Sequence, residues 1–376
     1  MQNLIKTLVE NARVFANSNA RNGVAAHASL YKIYFVGGIV RDLLLGLPVK
    51  DIDIVVEGDA IKFCKYLEDK GIVKIKSEHG EFGTVKTVAG GREIDFASTR
   101  QETYPQSGCL PTVTNIGCPL KDDVLRRDFT INAIALRLED FELVDYTGGI
   151  QDLRDKTLRT TYDKSFIDDP TRILRGLDFR LRFSFTLDKH TEKMQRAYLN
   201  APDRSGLSAA RVDLTLKKLL ENSDPGIVYE HILNENLYKI WRNEKPRLST
   251  DALKEALEKL PGDTSEVYFR ALKENFEFAP CKARRPIEVY KFFKNFGPEE
   301  LTLYFANCKD SKVLDFKSIY ESAKINTTGY DLIKLGYQEG KLIGRILDAL
   351  LEQTFIVPMT AEQEKAWILA NFPNRL

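Results

Sequence analysis

The sequence is poor in the residues that build thiolate or histidine centres. Five cysteines (Cys64, Cys109, Cys118, Cys281 and Cys308) are spread along 376 residues. Their number is odd and no C-x-x-C pair occurs. That argues against a disulfide framework or a zinc site and favours a reducing compartment. The four histidines are equally scattered. No apolar run approaches the roughly 20 residues that span a bilayer, so no membrane partner is expected. There is no Gly-rich or Ser-rich linker, no low-complexity tract and no internal repeat. Net charge is only +1, so any nucleic-acid contact must come from a local basic surface.

What is present is a globular composition, 43% hydrophobic and 29% charged. A chain of this length is expected to form two or three domains of about 100–200 residues. Residues 1–30 read as an N-terminal helical extension. Leu4, Ile5, Leu8, Val9, Ala12 and Phe15 recur at helical spacing, beside Lys6, Arg13, Arg21 and a single acid, Glu10. An organelle transit peptide has this appearance. A docked amphipathic helix needs the same stripe and is the simpler expectation, with a cytoplasmic location. Residues 31–152 read as an α/β head, with strands over 31–37, 51–56, 85–88 and 93–97 and helices over 41–45 and 60–70. Beyond about residue 153 the strand signal fades. Helices are expected over 170–182, 191–199, 208–221 and 225–234, punctuated by Pro202, Gly206 and Pro225. The fold class is therefore α+β: an α/β head, then an all-helical neck (153–225) and a helical body and tail (226–376).

Four segments carry chemistry. Gly37-Gly38 ends a strand and Val40-Arg41-Asp42 opens a helix. Glycines there let backbone approach a phosphate, although a plain tight turn looks the same. No Gly-Lys-Ser/Thr follows, so this is not a Walker A loop. Asp51-Ile52-Asp53 places two carboxylates at i and i+2, on one face of a strand. Side by side they repel, and oxygen-only ligation suits Mg2+ held partly by substrate phosphates. Arg126-Arg127-Asp128 precedes Asn132. The arginines suit triphosphate charge, and Asp128 and Asn132 suit a ribose. A capped helix with solvated arginines is the alternative. In Asp168-Asp169-Pro170-Thr171-Arg172, the i, i+3 spacing of Asp169 and Arg172, with Arg175 one turn on, allows an intrahelical ion pair. It also allows a reader of the Watson–Crick edge of a base.

Gly-Gly, a helix, and Asp-x-Asp on the next strand is the layout of polymerase-β-like nucleotidyltransferases. With Phe82-Gly83-Thr84, the run from Ile94 to Tyr104 and the two later segments, residues 31–185 resemble the class II tRNA nucleotidyltransferases. These are the CCA-adding enzymes and their relatives, the bacterial poly(A) polymerases. The resemblance implies that Asp51 and Asp53 bind Mg2+ and activate the 3′-hydroxyl of the growing RNA. It implies that Gly38 and Arg41 meet the incoming nucleotide and that Arg127, Asp128 and Asn132 hold its triphosphate and ribose. It further implies that Asp169, Arg172 and Arg175 select CTP or ATP without a nucleic-acid template, and that 101–114 is a flexible loop that helps switch from C to A addition. The implied partners are tRNA, CTP and ATP. The implied activity is CCA addition or part of it; CC-only, A-only and poly(A) addition, and a non-catalytic RNA-binding protein, are the alternatives.

Three positions need separate comment. The selecting motif usually begins Glu-Asp, and here begins Asp168-Asp169. Many relatives carry a basic residue where this chain has Asp178, which puts one phosphate contact in doubt. Asp95 lies on an expected strand and suits a third carboxylate, but pairing with Arg41 or Arg100 or support of the adjacent loop accounts for it as well, and it is left off the site.

Basic residues concentrate after the head: Arg172, Arg175, Arg180, Arg182, Lys189, Lys193, Arg196, Arg204, Arg211, Lys217 and Lys218, then Lys282, Arg284, Arg285, Lys291 and Lys294 among Tyr290, Phe292 and Phe293. Along one surface they would track RNA phosphates. RNA binding is then expected to weaken steeply between low and physiological salt. A filter-binding titration showing a flat salt response would count against such a surface.

Overall fold

A computed structural model of the chain describes residues 2–21, 31–202 and 206–373. It divides into two compact units, one of Met1–Ser223 with Lys239–Asn243, the other of Asp224–Tyr238 with Glu244–Leu376.

The first unit begins with helix α1 (Gln2–Arg21). Its sequence stripe does what a docked helix requires: Ile5, Leu8, Ala12 and Phe15 are buried. The Phe15 ring lies 4.9 Å from Tyr31 and 5.1 Å from Tyr66, and Tyr66 donates to Asn11. Then follow β1 (Ile33–Val36), α2 (Gly38–Leu44), β2 (Asp53–Val56), α3 (Ala60–Asp69), β3 (Lys74–His79), β4 (Thr84–Ala89) and β5 (Arg92–Ser98). Beyond them come β6 (Arg100–Thr103), β7 (Thr112–Ile116), α4 (Leu120–Leu125), β8 (Ala135–Arg137) and β9 (Leu143–Val144).

Seven strands form one mixed sheet in the order β3-β4-β5-β2-β1-β8-β9. The β2–β5 pair is parallel and its other pairs are antiparallel. Alternation along the strands gives the sheet two apolar faces. Tyr34, Val36, Val55 and Ala135 pack with Leu120 and Val124 of α4 on one side. Phe35, Ile54 and Phe96 alternate with these residues, and Phe96 meets Phe63 of α3. Two expectations change. The segment 101–114, expected as a flexible loop, is paired at its two ends as the hairpin β6–β7, with 104–111 between the strands. Strand β2 starts at Asp53, not Asp51, although the Asp95 N–H bonds the Ile52 carbonyl at 2.9 Å and extends the pairing one residue further.

The helical part of this unit comprises α5 (Gly149–Arg154), α6 (Ser165–Asp168), α7 (Thr171–Phe183), α8 (Lys189–Leu199) and α9 (Ala209–Asn222), with two short strands, β10 (Thr157–Leu158) and β11 (Thr186–Leu187), between them. Gly149 is required by space: a Cβ there would lie 2.1 Å from the Thr130 carbonyl oxygen. That close approach backs α5 against the 130–132 turn.

The second unit is helical: α10 (Pro225–Asn234), α11 (Thr250–Lys259), α12 (Thr264–Lys273), α13 (Pro286–Phe293), α14 (Pro298–Cys308), α15 (Lys312–Asp315), α16 (Gly329–Lys334), α17 (Lys341–Thr354) and α18 (Ala361–Asn371). The aromatics interleaved with its basic group belong to its core. Phe293 lies 4.9 Å from Tyr304, and Tyr290 lies 6.1 Å from Phe316. Near its C-terminal end, Leu332, Tyr337, Ile346, Leu350 and Ile368 form a small separate core. Among the described residues no helix is long and apolar enough to cross a membrane.

Leu8 is buried to 1%, so Leu8→Ala is expected to cost about 2–4 kcal/mol. Urea denaturation tests this; an unchanged midpoint would mean that α1 is not part of the core.

Candidate active site

The site lies in the first unit, where the C-terminal end of β1 meets the start of β2. Gly37 has φ +73°, which the turn from β1 into α2 uses. A Cβ on Gly37 would lie 3.3 Å from Nη1 of Arg127, and one on Gly38 would lie 3.5 Å from Nη2 of Arg41. Gly37 therefore leaves room for the Arg127 guanidinium, whereas a Cβ on Gly38 would make only ordinary contact with Arg41.

Asp53 is half-buried at the head of β2, and Asp51 is exposed just before it. Asp53 stands in register with Asp95 on β5, and Asp95 with Lys86 on β4. The Lys86 ammonium bonds the Asp95 carboxylate at 3.2 Å. Burial pushes the Asp53 carboxyl above its usual range; Arg127 opposes this, while Asp95 and Asp51 add to it. Crowded negative charge of this kind favours a cation. The donors are all carboxylate oxygens, which suits a hard divalent ion rather than zinc. Among the described residues no group of three or more His, Cys, Asp or Glu is assembled around a metal position. Any ion here would take its remaining ligands from substrate and water.

Beside the carboxylates lies a paired arginine network. Asp123 of α4 is fully buried; it accepts from Arg126 at 2.6 Å, from Arg127 at 2.9 Å and from the Arg100 N–H. Burial would raise its carboxyl, but Arg127 and Arg126 outweigh that and hold it below the usual range. Glu102 on β6 accepts from Arg100 at 2.6 Å and Arg126 at 3.0 Å. A second chain begins at Arg41, stacked over Phe179 and Phe183 of α7. Arg41 donates to Asn132 at 2.8 Å and Asn132 to Asp128 at 3.0 Å. Arg175 closes the chain on Asp128 with two bonds, at 2.5 and 3.0 Å.

The Asp169–Arg172 ion pair that the i, i+3 spacing allows does not form. Asp169 Oδ1 accepts from the Thr171 N–H and the Thr171 hydroxyl, and forms an ion pair with Arg211 of α9. Arg172 is only 6% exposed. Its guanidinium donates to the Arg126 and Arg127 carbonyls and the Tyr104, Tyr162 and Ser165 hydroxyls. Arg172 thus clasps α7 to the 126–127 segment.

Residues 33–159 match the poly A polymerase head domain. Residues 33–159 are therefore a poly A polymerase head domain. An A-adding tRNA nucleotidyltransferase of Aquifex aeolicus is 46% identical over 172 residues, 45% of this chain and 20% of that protein. The one from Geobacter sulfurreducens is 32% identical over 85% of this chain and 42% of that protein. The chain spans less than half the length of these curated relatives. Among solved structures, an apo CCA-adding enzyme aligns with TM-score 0.73 at 25% identity, covering 97% of this chain and 96% of that one. A Thermotoga maritima CCA-adding enzyme complexed with tRNA aligns with TM-score 0.65 at 25% identity, covering 97% and 94%.

Arg41, Arg127, Asp128 and Asn132 of this nucleotidyltransferase head share connected contacts with Arg175 of α7, and Gly38 lies beside Arg41. Asp53 adjoins them through the charge of Arg127, and Asp51 lies near Asp53. Arg175 leaves the selecting motif for Asp128. Asp178 is occupied elsewhere: it pairs with Arg182 at 3.2 Å and accepts from Asn222 at 3.2 Å, tying α7 to α9. Of the expected phosphate track, Arg172, Arg175, Arg182 and Arg211 serve internal partners, while Lys189, Lys193, Lys217 and Lys218 are exposed; Arg204 lies outside the described residues. Sequence reasoning missed Asp123, Glu102 and Arg211. Asp123 had a local signal, standing three and four residues before Arg126 and Arg127. Glu102 and Arg211 had none, since their partners are remote in sequence.

Burial raises the Asp128 carboxyl, but Arg175 and the Asn132 bond outweigh this and lower it to about 2. Its stabilisation is complete above the unfolded carboxyl pKa near 4 and is lost as pH falls from there toward 2. Asp128→Asn is expected to remove about 2 kcal/mol at pH 7 and to flatten the stability–pH curve between about pH 4 and 2. Denaturant titrations across that range check both.

Proposed function

We propose that the chain adds CMP and AMP from CTP and ATP to the 3′ end of tRNA, with Mg2+ as its ion. The observation that carries this reading is the adjacency of the Asp51–Asp53 pair to the Arg127–Asp123 and Asn132–Asp128–Arg175 networks. In such a transfer the RNA 3′-oxygen attacks the α-phosphorus and pyrophosphate leaves. Asp51 and Asp53 would hold divalent ions, which activate the hydroxyl and neutralise charge on the leaving phosphates. Asp95, in register with Asp53, is held by Lys86 and is not assigned to the ion. Arg127 supplies positive charge beside the carboxylates, held in position by Asp123 so that little reorganisation is needed when the triphosphate enters.

Selection is assigned to Asp169. Among the described residues its Oδ2 accepts no hydrogen bond. An open carboxylate oxygen accepts from the exocyclic amino groups of cytosine and adenine, whereas uracil and guanine offer carbonyls there. For Arg172 to read the same base, its bonds to the 126–127 carbonyls must exchange. The five cysteines are all unpaired, in keeping with a reducing compartment such as the cytoplasm.

A second reading, A addition alone, is favoured by the names of the curated relatives from Aquifex and Geobacter. The deciding experiment supplies CTP, ATP or both, with Mg2+, to tRNAs that lack the 3′ CCA or end in CC. Extension of the first to CCA supports the main reading. Extension of the second only, by a single A, supports the other, and a long tail overturns both. Asp51→Ala and Asp53→Ala are each expected to lower the rate by at least about 10²-fold; wild-type rates would remove the metal assignment.

A further inference from the structure

The tip of the β6–β7 hairpin is tied down at three points close to Asp169. The Ser107 hydroxyl donates to the Ile167 carbonyl at 2.7 Å, and the Gly108 N–H bonds the Asp168 carbonyl at 3.2 Å. Both acceptors are on α6, which ends immediately before Asp169. From α9, Arg211 donates through Nη1 to the Gly108 carbonyl at 2.6 Å, and its Nη2 forms an ion pair with Asp169 Oδ1 at 2.8 Å. The tip also presses on the segment leading into α9: a Cβ on Gly108 would lie 2.7 Å from the Leu207 nitrogen. Arg211 is therefore the point where hairpin, α9 and the selecting carboxylate meet.

We propose that Arg211 is a positioning residue for nucleotide selection: its forked guanidinium ties Asp169 through Oδ1 to the hairpin tip, leaving Oδ2, which accepts no hydrogen bond among the described residues, to face a base. The proposal rests on the assignment of Asp169 as base reader. A planar fork bonds a carboxylate and a carbonyl together and fixes their relation; a lysine ammonium is a point charge that cannot impose the same geometry. With two hydrogen bonds and the Arg211 ion pair on Oδ1, rotation of the carboxylate would break all three contacts. Displacement of the hairpin tip pulls on the same guanidinium, so hairpin position and acceptor position are coupled. Arg211 touches no reacting atom.

The test uses the full chain and equilibrium binding of CTP, ATP and UTP with Mg2+ by calorimetry, so turnover and RNA are not needed. Four forms are compared: Arg211→Met, Arg211→Lys, Asp169→Asn and the Arg211→Met/Asp169→Asn double variant. Arg211→Met is expected to lose about tenfold of the CTP-over-UTP preference. The double variant should be no worse than Asp169→Asn, because the two act through one carboxylate. Arg211→Lys should fall between wild type and Arg211→Met. Amide hydrogen exchange in the 103–112 segment should quicken in Arg211→Met, while Mn2+ binding stays unchanged. Thermal melts identify any variant that fails to fold, and the Lys variant then carries the comparison. If Asp169→Asn abolishes the preference and folded Arg211 variants keep it, or if the losses add, Arg211 has no positioning role while base reading stands. If Asp169→Asn keeps the preference, or wild type shows none, base reading and the role of Arg211 fall together.

Discussion

Two buried carboxylates, Asp123 and Asp128, make the rest of the site possible. An anion-binding centre needs several guanidiniums close together, and like charges at that spacing repel. Asp123 takes Arg126 and Arg127, and Asp128 takes Arg175. Each carboxylate is held ionised by its arginines and would be a costly buried charge without them. The pairing works in both directions: the arginines keep their acids charged, and the acids keep the arginines in place. The network therefore prepares a nucleotide site more than it stabilises a fold, since a buried ion pair is weak evidence of net stability.

The same pairing sets the balance at the metal carboxylates. Arg127 is divided between Asp123, which it bonds, and Asp53, whose charge it partly offsets. Asp53 keeps a surplus of negative surroundings from Asp51 and Asp95. Lys86 offsets part of that surplus through its bond to Asp95. Cationic and anionic halves thus lie side by side, as the proposed attack of an RNA hydroxyl on a triphosphate requires.

Selection is built differently. Arg172 and Asp169 are close in sequence yet serve different partners, because Arg172 is drawn inward by two backbone carbonyls and three hydroxyls. Burying a guanidinium without acceptors would be expensive, and these oxygens satisfy it. Asp169 then finds its cation on α9. Asp178 binds α7 to the same helix through Asn222. An acid at that position is thus a fastening between helices, and the structure gives it no part in phosphate binding.

The sequence by itself determined the elements β1, α2, β2, α3, β4 and β5 of the head, the docking stripe of α1 and the carboxylate pair. Each is written in local periodicity or in residues a few positions apart: Ile5–Leu8–Ala12–Phe15 at helical spacing, Asp51 and Asp53 at strand spacing. Only the tertiary structure decided which charges meet. The Glu102–Arg126, Asp128–Arg175 and Asp169–Arg211 pairs join residues on separate elements, and no local spacing encodes them. It also decided that the 101–114 segment is a hairpin paired at its two ends, because cross-strand bonding depends on a partner strand that composition does not reveal. Short-range pattern settles which face of an element is apolar; long-range packing settles how a buried charge is satisfied, because its partner must arrive from another element.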